Sequence, residues 1–416
     1  MASINLNLIN QSSDTNNSNV IIFQKNVVNH VLRDLAPGET RSFELALPSG
    51  DRNVHVSIAR DMSDPSRATQ ISLDGVHSGE LVMTGSEEAG YQFALKNVAQ
   101  PKRIIAVIGA TGAQGGGLVR AIAADPSGGF TARAITRDVN SDKAKELAAL
   151  GAEVVAADVD NPESLRRAFE GAYGAYCVTF FWDHFSPEKE LAQARALATA
   201  ARDTNVQHVI WSTLEDTRNW VPLDDDRMPT LMERYKVPHF DAKGEADAIF
   251  AELGVPVTYL LTSFYWDNFI SFGMGPARDA EGKLAITLPM GTSKLPGIAA
   301  DDIGRSAYGI FKVGTSLVGK RVGISGEHLS GEEMADAFST AIGEDVSFND
   351  VDPEVYRGFG FPGAEDLGNM FQFKRDFEKS YRGARDIEAT RLLNPKLRTF
   401  AQWLEENKSR ISIPNG

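Results

Sequence analysis

The 416-residue sequence predicts an α/β protein: a doubly wound parallel sheet with a smaller C-terminal lobe, preceded by an all-β unit of sandwich type. Three observations predict it. Up to about residue 100, short β-rich segments are separated by turn-formers. From Lys102 onward, apolar runs without alternation take turns with amphipathic helical runs. A glycine-rich loop joins the first of those runs to the first helix.

In order along the chain, the first unit (1–100) contributes "INLNLI", "NVIIFQ", "RSFELAL", "NVHVSIA", "TQISL", "ELVMT" and "YQFALKNV". Turns such as "APGE", "PSGD" and "LDGVHSGE" separate them, which argues an antiparallel sandwich. His30, His55 and His77 are scattered without metal-ligand spacing, so this unit reads as an interaction or oligomerisation module. The stretch "AQPKR", Ala99 to Arg103, is the expected joint.

The second unit (101–416) begins "RIIAVIG" and "GGLVRAIAAD". It continues through "TARAITR", "SDKAKELAALG", "AEVVAAD", "NPESLRRAFEGA", "GAYCVTF", "SPEKELAQARALATAARDT", "VQHVIWST", "KGEADAIFAELG" and "VPVTYLLTS". Apolar strands each followed by a helix indicate a parallel sheet covered on both faces. From about residue 270 the pattern loosens, and "FGFPGAEDLGNMF" and "LRTFAQWLEENKSR" are assigned to the smaller lobe (270–416).

Composition narrows the function. Hydrophobic residues make up 42% and charged residues 24%, with a net charge of −14. No basic cluster exceeds a pair, so direct nucleic-acid binding and attraction to an anionic membrane are disfavoured. The N-terminus shows no signal peptide, and no apolar run is long enough to span a bilayer. With Cys177 the one cysteine, the expectation is a cytoplasmic protein.

The chemistry starts at "GATGAQG". Gly109, Gly112 and Gly115 allow a tight turn, close backbone approach to a pyrophosphate, and close helix–strand packing. The first-turn N–H groups and the helix dipole then face the phosphates. Thr111 and Gln114 are placed to add side-chain hydrogen bonds. Following a strand and opening a helix, the loop predicts the NAD(P)-binding Rossmann fold. Arg137, ending the second strand in "ITRD", suits a 2′-phosphate and favours NADP(H) over NAD(H). Asp158 stands where a carboxylate meets the adenine amine, or caps the next helix.

A short-chain reductase places Tyr four residues before Lys on the helix after the fifth strand. Here "VPHFDAKGEADAIF" has Lys243 in place and His239 at the Tyr position. Ser212 and Thr213 end the fifth strand, where a hydroxyl polarises a carbonyl. His239 reads equally as a proton donor and as a packing residue. Thr179 and Phe180 after the fourth strand, and Tyr265 and Asn268 after the sixth, point to the same crevice. The run Asp224–Asp226 lacks ligand partners, so no metal is expected.

From Lys102 to the C-terminus the chain resembles the NmrA-like family of atypical short-chain dehydrogenase/reductase relatives. The matching stretches are "GATGAQGG", "ITR", "GAEVV", "VTFFW", "HFDAKGE", "GFPGAEDLGNMF" and "LNPKLRTFAQWLE". The resemblance implies a Rossmann domain preferring NADP(H), with Gly109, Thr111, Gly112, Gln114 and Gly115 at the phosphates. It implies Arg137 at the 2′-phosphate and Lys243 as the retained lysine. Family members lacking the Tyr include sensors that associate according to the NADPH/NADP⁺ ratio, and quinone reductases that transfer hydride without a Tyr acid. The chain departs from the sensing members after Arg137, where "DVNSDK" brings no cation before Lys143. The expected function is a redox-responsive regulator acting through a protein partner or homo-oligomer. The alternative is an NADPH-dependent reductase of a quinone or small carbonyl compound, and a third reading is a tailoring enzyme using other chemistry.

Overall fold

The computed structural model describes residues 2–24, 27–47, 52–59, 67–73, 76, 78–97, 102–279 and 281–413. The chain divides into two compact units, Met1–Pro101 and Lys102–Gly416. The "PSGD" turn, Asp74, Gly75 and His77 of "LDGVHSGE", and Ala99 to Pro101 of the joint lie outside the described residues.

The first unit holds strands β1 (Ala2–Asn10), β2 (Ser18–Gln24), β3 (Val27–Leu35), β4 (Thr40–Leu47), β5 (Asn53–Ile58), β6 (Thr69–Ser72), β7 (Ser78–Ser86) and β8 (Gly90–Asn97). They form two four-stranded sheets, β4-β1-β7-β8 and β3-β2-β5-β6. Alternate residues such as Leu6, Leu8, Val20, Ile22, Leu45 and Val56 meet in one core, the layering of a sandwich. Two features depart from the expected antiparallel sandwich. β1 and β7 pair in parallel. β3 is an additional strand, hidden in the sequence because an edge strand with exposed Val27, Val28 and Val31 lacks alternation. His30 stacks on Phe43 and His55 on Phe23, so both rings are used in packing.

The second unit is built on β9 (Arg103–Val107), α1 (Ala113–Ala123), β10 (Phe130–Thr136), α2 (Asp142–Ala149), β11 (Glu153–Ala156), α3 (Pro162–Phe169), β12 (Gly174–Cys177), α4 (Pro187–Asp203), β13 (His208–Thr213), α5 (Pro238–Glu252) and β14 (Val257–Leu261). The chain then leaves the sheet through β15 (Phe264–Tyr265), α6 (Asn268–Ser271), β16 (Ala277–Arg278), β17 (Leu284–Leu288) and β18 (Leu295–Ile298). It returns by α7 (Ala300–Val313) to β19 (Arg321–Gly323). The result is a seven-stranded parallel sheet of order β11-β10-β9-β12-β13-β14-β19. Strand order reverses between β9 and β12, and the crevice beyond the carboxyl ends at such a reversal is where ligands bind in this architecture.

Alternation within the strands explains the two-sided cover. Ile105, Val107 and Ile210 pack with Leu118, Ile303 and Phe311 on one face, beneath α1 and α7. Ala106, Val209 and Trp211 pack with Phe169, Leu197 and Phe250 on the other, beneath α3, α4 and α5. A third core joins Phe264, Trp266, Phe269, Phe338, Phe371 and Trp403 in the C-terminal lobe. That lobe adds β20 (Glu327–Leu329), α8 (Gly331–Ile342), β21 (Val346–Asp350), α9 (Pro353–Arg357) and α10 (Ala364–Asp376), then α11 (Glu378–Gly383). The chain beyond residue 270 is thus shared between the lobe and the sheet, since α7 and β19 belong to the latter.

Candidate functional site

The glycine loop leaves β9 with Gly109 at φ +63°, a conformation favouring glycine. A Cβ on Gly115 would stand 2.5 Å from the Gly109 carbonyl oxygen, so the loop and the first turn of α1 touch backbone to backbone. Helices α2, α3 and α4 are capped by Ser141, Asn161 and Ser186. The N-cap of α1, Gly112, offers no side-chain cap, and the first turn carries no acid. Its orphan amides and positive dipole end are left for an anion. This fits the pyrophosphate of a dinucleotide. Across the strand reversal, the Val178 side chain lies 3.3 Å from where a Cβ on Gly109 would be, so the chain after β12 borders the loop.

Around this crevice the other expected residues fall into four groups. Gln114 faces a side-chain network: its amide N donates to the Tyr265 hydroxyl at 2.5 Å, and its carbonyl oxygen accepts from Ser212 (2.9 Å) and Tyr176. Tyr265 is half-buried, and desolvation of its hydroxyl pushes it up to about 12. Thr111 lies partly exposed in the turn, and Asn268 opens α6 three residues beyond Tyr265. Thr213 faces away from this network, donating to Asp247 at 2.7 Å on α5.

Arg137 follows β10 directly and Asp158 lies two residues beyond β11. Arg137 is 73% exposed, with Asp183 at 3.6 Å. The neighbouring Asp138 is folded into a turn, accepting from the Asn140 N–H. Asp158 likewise accepts from the Asp160 N–H at 2.9 Å, while Asn161 caps α3.

Lys243 is the third group. Its Nζ lies 2.6 Å from Glu190 Oε1 and donates to Thr179 Oγ1 (2.7 Å) and the Thr179 carbonyl (3.1 Å). An ammonium has three N–H donors, and all three are committed. Glu190 is fully buried; burial favours its neutral form, but Lys243, His184 and Thr179 outweigh this and hold its carboxyl down to about 2. His184 Nδ1 accepts from the Ser186 N–H, so its neutral ring carries hydrogen on Nε2, 3.5 Å from Glu190. Glu190 is absent from the sequence reading. Its signal is a carboxylate on the buried stripe Glu190, Ala194, Leu197 of α4. Phe180, the next residue after Thr179, is 52% exposed.

His239 occupies the first turn of α5. Its Nδ1 lies 2.7 Å from Asp366 Oδ1, and its backbone N–H donates to Asp366 Oδ2 at 3.1 Å. Trp182 lies against the ring at 4.8 Å. Asp366, from α10, is a second residue of the candidate site that local sequence did not reveal. Asp366 and Pro238 border a cleft of about 430 Å³ whose walls include Phe181, Phe185, Met232 and Phe361. The carboxylate accepts from Nδ1–H and orients the imidazole, which leaves Nε2 as the ring nitrogen for exchange with a ligand. Among the described residues, no group of three His, Cys, Asp or Glu is arranged to hold a metal ion. No helix among them is long and apolar enough to cross a membrane.

Comparison with known proteins follows the same boundaries. The model of the NmrA-like family matches residues 101–404. An NmrA-like family domain-containing oxidoreductase of Penicillium ochrochloron is 27% identical, over 74% of this chain and 98% of its own. A second such oxidoreductase, of a Cladobotryum species, is 30% identical over 65% and 83%. Among solved structures, the negative transcriptional regulator NmrA in complex with NADP is 25% identical with a TM-score of 0.61, covering 74% of this chain and 95% of that one. The same regulator is also known in complex with NAD.

Proposed function

The chain belongs to the NmrA-like family, and from that premise we propose that its second unit binds NADP(H) in preference to NAD(H) and reduces a small quinone or carbonyl compound. The observation that carries the reading is the His239–Asp366 pair: its carboxylate borders a cleft walled by Phe181, Phe185 and Phe361, and its imidazole stands at the helix position where a reductase carries its proton donor. The glycine loop and the uncapped α1 terminus hold the diphosphate, and Arg137 meets the 2′-phosphate. The bound dinucleotide supplies a hydride. His239 Nε2 delivers the proton, Asp366 keeps the ring oriented, and the aromatic walls exclude water.

The test is oxidation of NADPH, followed by the loss of its absorbance, with a panel of quinones and aldehydes. Steady turnover is expected, abolished in His239→Ala and restored at least partly in His239→Tyr. Absence of turnover with every acceptor sinks this reading. A second reading is favoured by Lys243, whose three donors are spent inside the protein: a dinucleotide-responsive regulator acting through a protein partner or self-association. Its signature is an oligomeric state that differs between NADP⁺ and NADPH. Such a response needs a coupling of about 1–3 kcal/mol.

A further inference from the structure

Arg357, the last residue of α9, borders the cleft beside His239. Its Nη1 donates to Asn369 Oδ1 (3.2 Å) and Gln372 Oε1 (2.8 Å), two neutral acceptors. The amides are held so that their oxygens face it. Asn369 Nδ2 donates to the Pro229 and Lys236 carbonyls, and Gln372 Nε2 to the Arg227 carbonyl. Its stem lies over Gly368, where a Cβ would stand 2.5 Å from Arg357 Cγ. Glycine is therefore what lets the arginine lie flat on α10.

The guanidinium is fixed in place yet not neutralised. No carboxylate among the described residues lies within 4.0 Å of it. Burial lowers the affinity of the group for its proton, with Glu354 and Asp352 opposing from a distance and Arg375 adding like charge. The rim acids do not cancel it. Asp366 is bonded twice to His239, and Glu365 is exposed on the first turn of α10. The facing wall is also built at a cost. Phe185 (φ +53°) and Met232 (φ +48°) line the cleft in the left-handed region, which bulky residues rarely occupy.

We propose that this cleft binds a planar, aromatic or conjugated small molecule carrying a carboxylate, with Arg357 gripping the carboxylate and the apolar walls taking the ring. A planar guanidinium pairs with a carboxylate through two parallel N–H···O bonds. Nε and Nη2 have no carboxylate partner among the described residues, and they are the pair for such a grip. The site narrows the acceptor of the reaction above and takes from that reading its premise that the cleft holds a ligand.

The test uses the full chain and two probes of one shape, 2-naphthoate and its uncharged amide 2-naphthamide, in titration calorimetry. Naphthoate is expected to bind roughly tenfold or more tightly than the amide, as charge-assisted pairing implies. Arg357→Met should bring it down to the amide's level. Gln372→Glu, which keeps the arginine but neutralises it in place, should do the same and guards against a folding defect in the first variant. Equal affinities in the parent protein, heat from neither probe, or a preference surviving both substitutions overturns the proposal. NADPH binding and turnover measured on the same samples separate the two ideas. Turnover without naphthoate preference removes the carboxylate site alone, and naphthoate preference without turnover removes the reductase reading alone.

Discussion

The two ends of the crevice treat their polar groups in opposite ways. At the start of α1 the helix amides have no capping side chain and no acid in the first turn. One strand away, Lys243 has every donor bound to Glu190 or Thr179. The first end is assembled for an anion that comes from outside, and the second already holds its counter-charge. A lysine at the position a reductase expects is therefore no proof of a reductase's hydrogen bond to a ribose, because what matters is which of its donors remain.

Removing the inner counter-charge breaks the contrast most severely. Glu190→Leu leaves a buried ammonium unpaired, and a loss of about 3–5 kcal/mol is expected in chemical denaturation. Replacing both partners, Glu190→Leu with Lys243→Met, should recover most of it. The parent protein's stability should also fall in acid. The Glu190 carboxyl is held near about 2 against an ordinary value of 4.5, so its contribution is present above pH 4.5 and is lost as pH falls towards 2. That decline should be reduced in the double variant. A double variant as unstable as the single one would show that the cluster is not a self-contained ion pair.

Lys374 sharpens the contrast from a third direction. It is 2% exposed, meets the ring faces of Phe240, Phe264, Phe371 and Tyr381, and donates only to the Met370 sulfur at 3.2 Å. Burial, with Arg385 nearby, brings it from 10.5 down to about 7. Between pH 7 and 10.5 the unfolded chain holds the proton that the folded chain lacks, so stability should rise with pH in that window. Lys374→Met should remove the slope and gain about 1–4 kcal/mol at pH 7. A variant that is less stable at pH 7 would mean that the four rings solvate the ammonium adequately.

At the open end, Gly115→Ala places a methyl 2.5 Å from the Gly109 oxygen. Overpacking of about 1–3 kcal/mol is expected, with NADPH affinity falling about tenfold for each 1.4 kcal/mol expressed in the loop. Titration calorimetry beside a thermal melt separates strain in the loop from general unfolding. Unchanged affinity would mean that the loop does not need its backbone contact to seat a diphosphate.

What the sequence made legible follows from range. The glycines of the phosphate loop lie within seven residues, and strand-to-helix alternation is a local pattern, so the doubly wound sheet could be read directly. Glu190 and Lys243 are separated along the chain, as are His239 and Asp366, and neither pairing has a local signature. Each left a trace all the same. Glu190, Asp366 and Lys374 are charges on buried helix stripes, the last two at four-residue spacing with Met370 between them. Strand β3 escaped because exposed valines on an edge erase the period of two. Thr213 shows the limit of placing residues by strand end alone: one position from Ser212, its side chain points to the opposite face.

The smallest expected effect concerns which dinucleotide the open end prefers. Arg137 is 73% exposed and reaches Asp183 only at 3.6 Å. Pairs of that exposure are worth about 0–1 kcal/mol, so a 2′-phosphate can displace the partner readily. With no further cation before Lys143 and with Asp138 turned into its own loop, one guanidinium carries the selection. A preference for NADPH over NADH of roughly tenfold is expected, the size of one charge-assisted contact. Arg137→Ser should abolish it by weakening NADPH and leaving NADH unchanged, while Asp183→Asn should strengthen NADPH slightly. Equal weakening of both would place Arg137 at the shared part of the dinucleotide, and the selection would then have to come from the backbone of the turn that Asp138 builds.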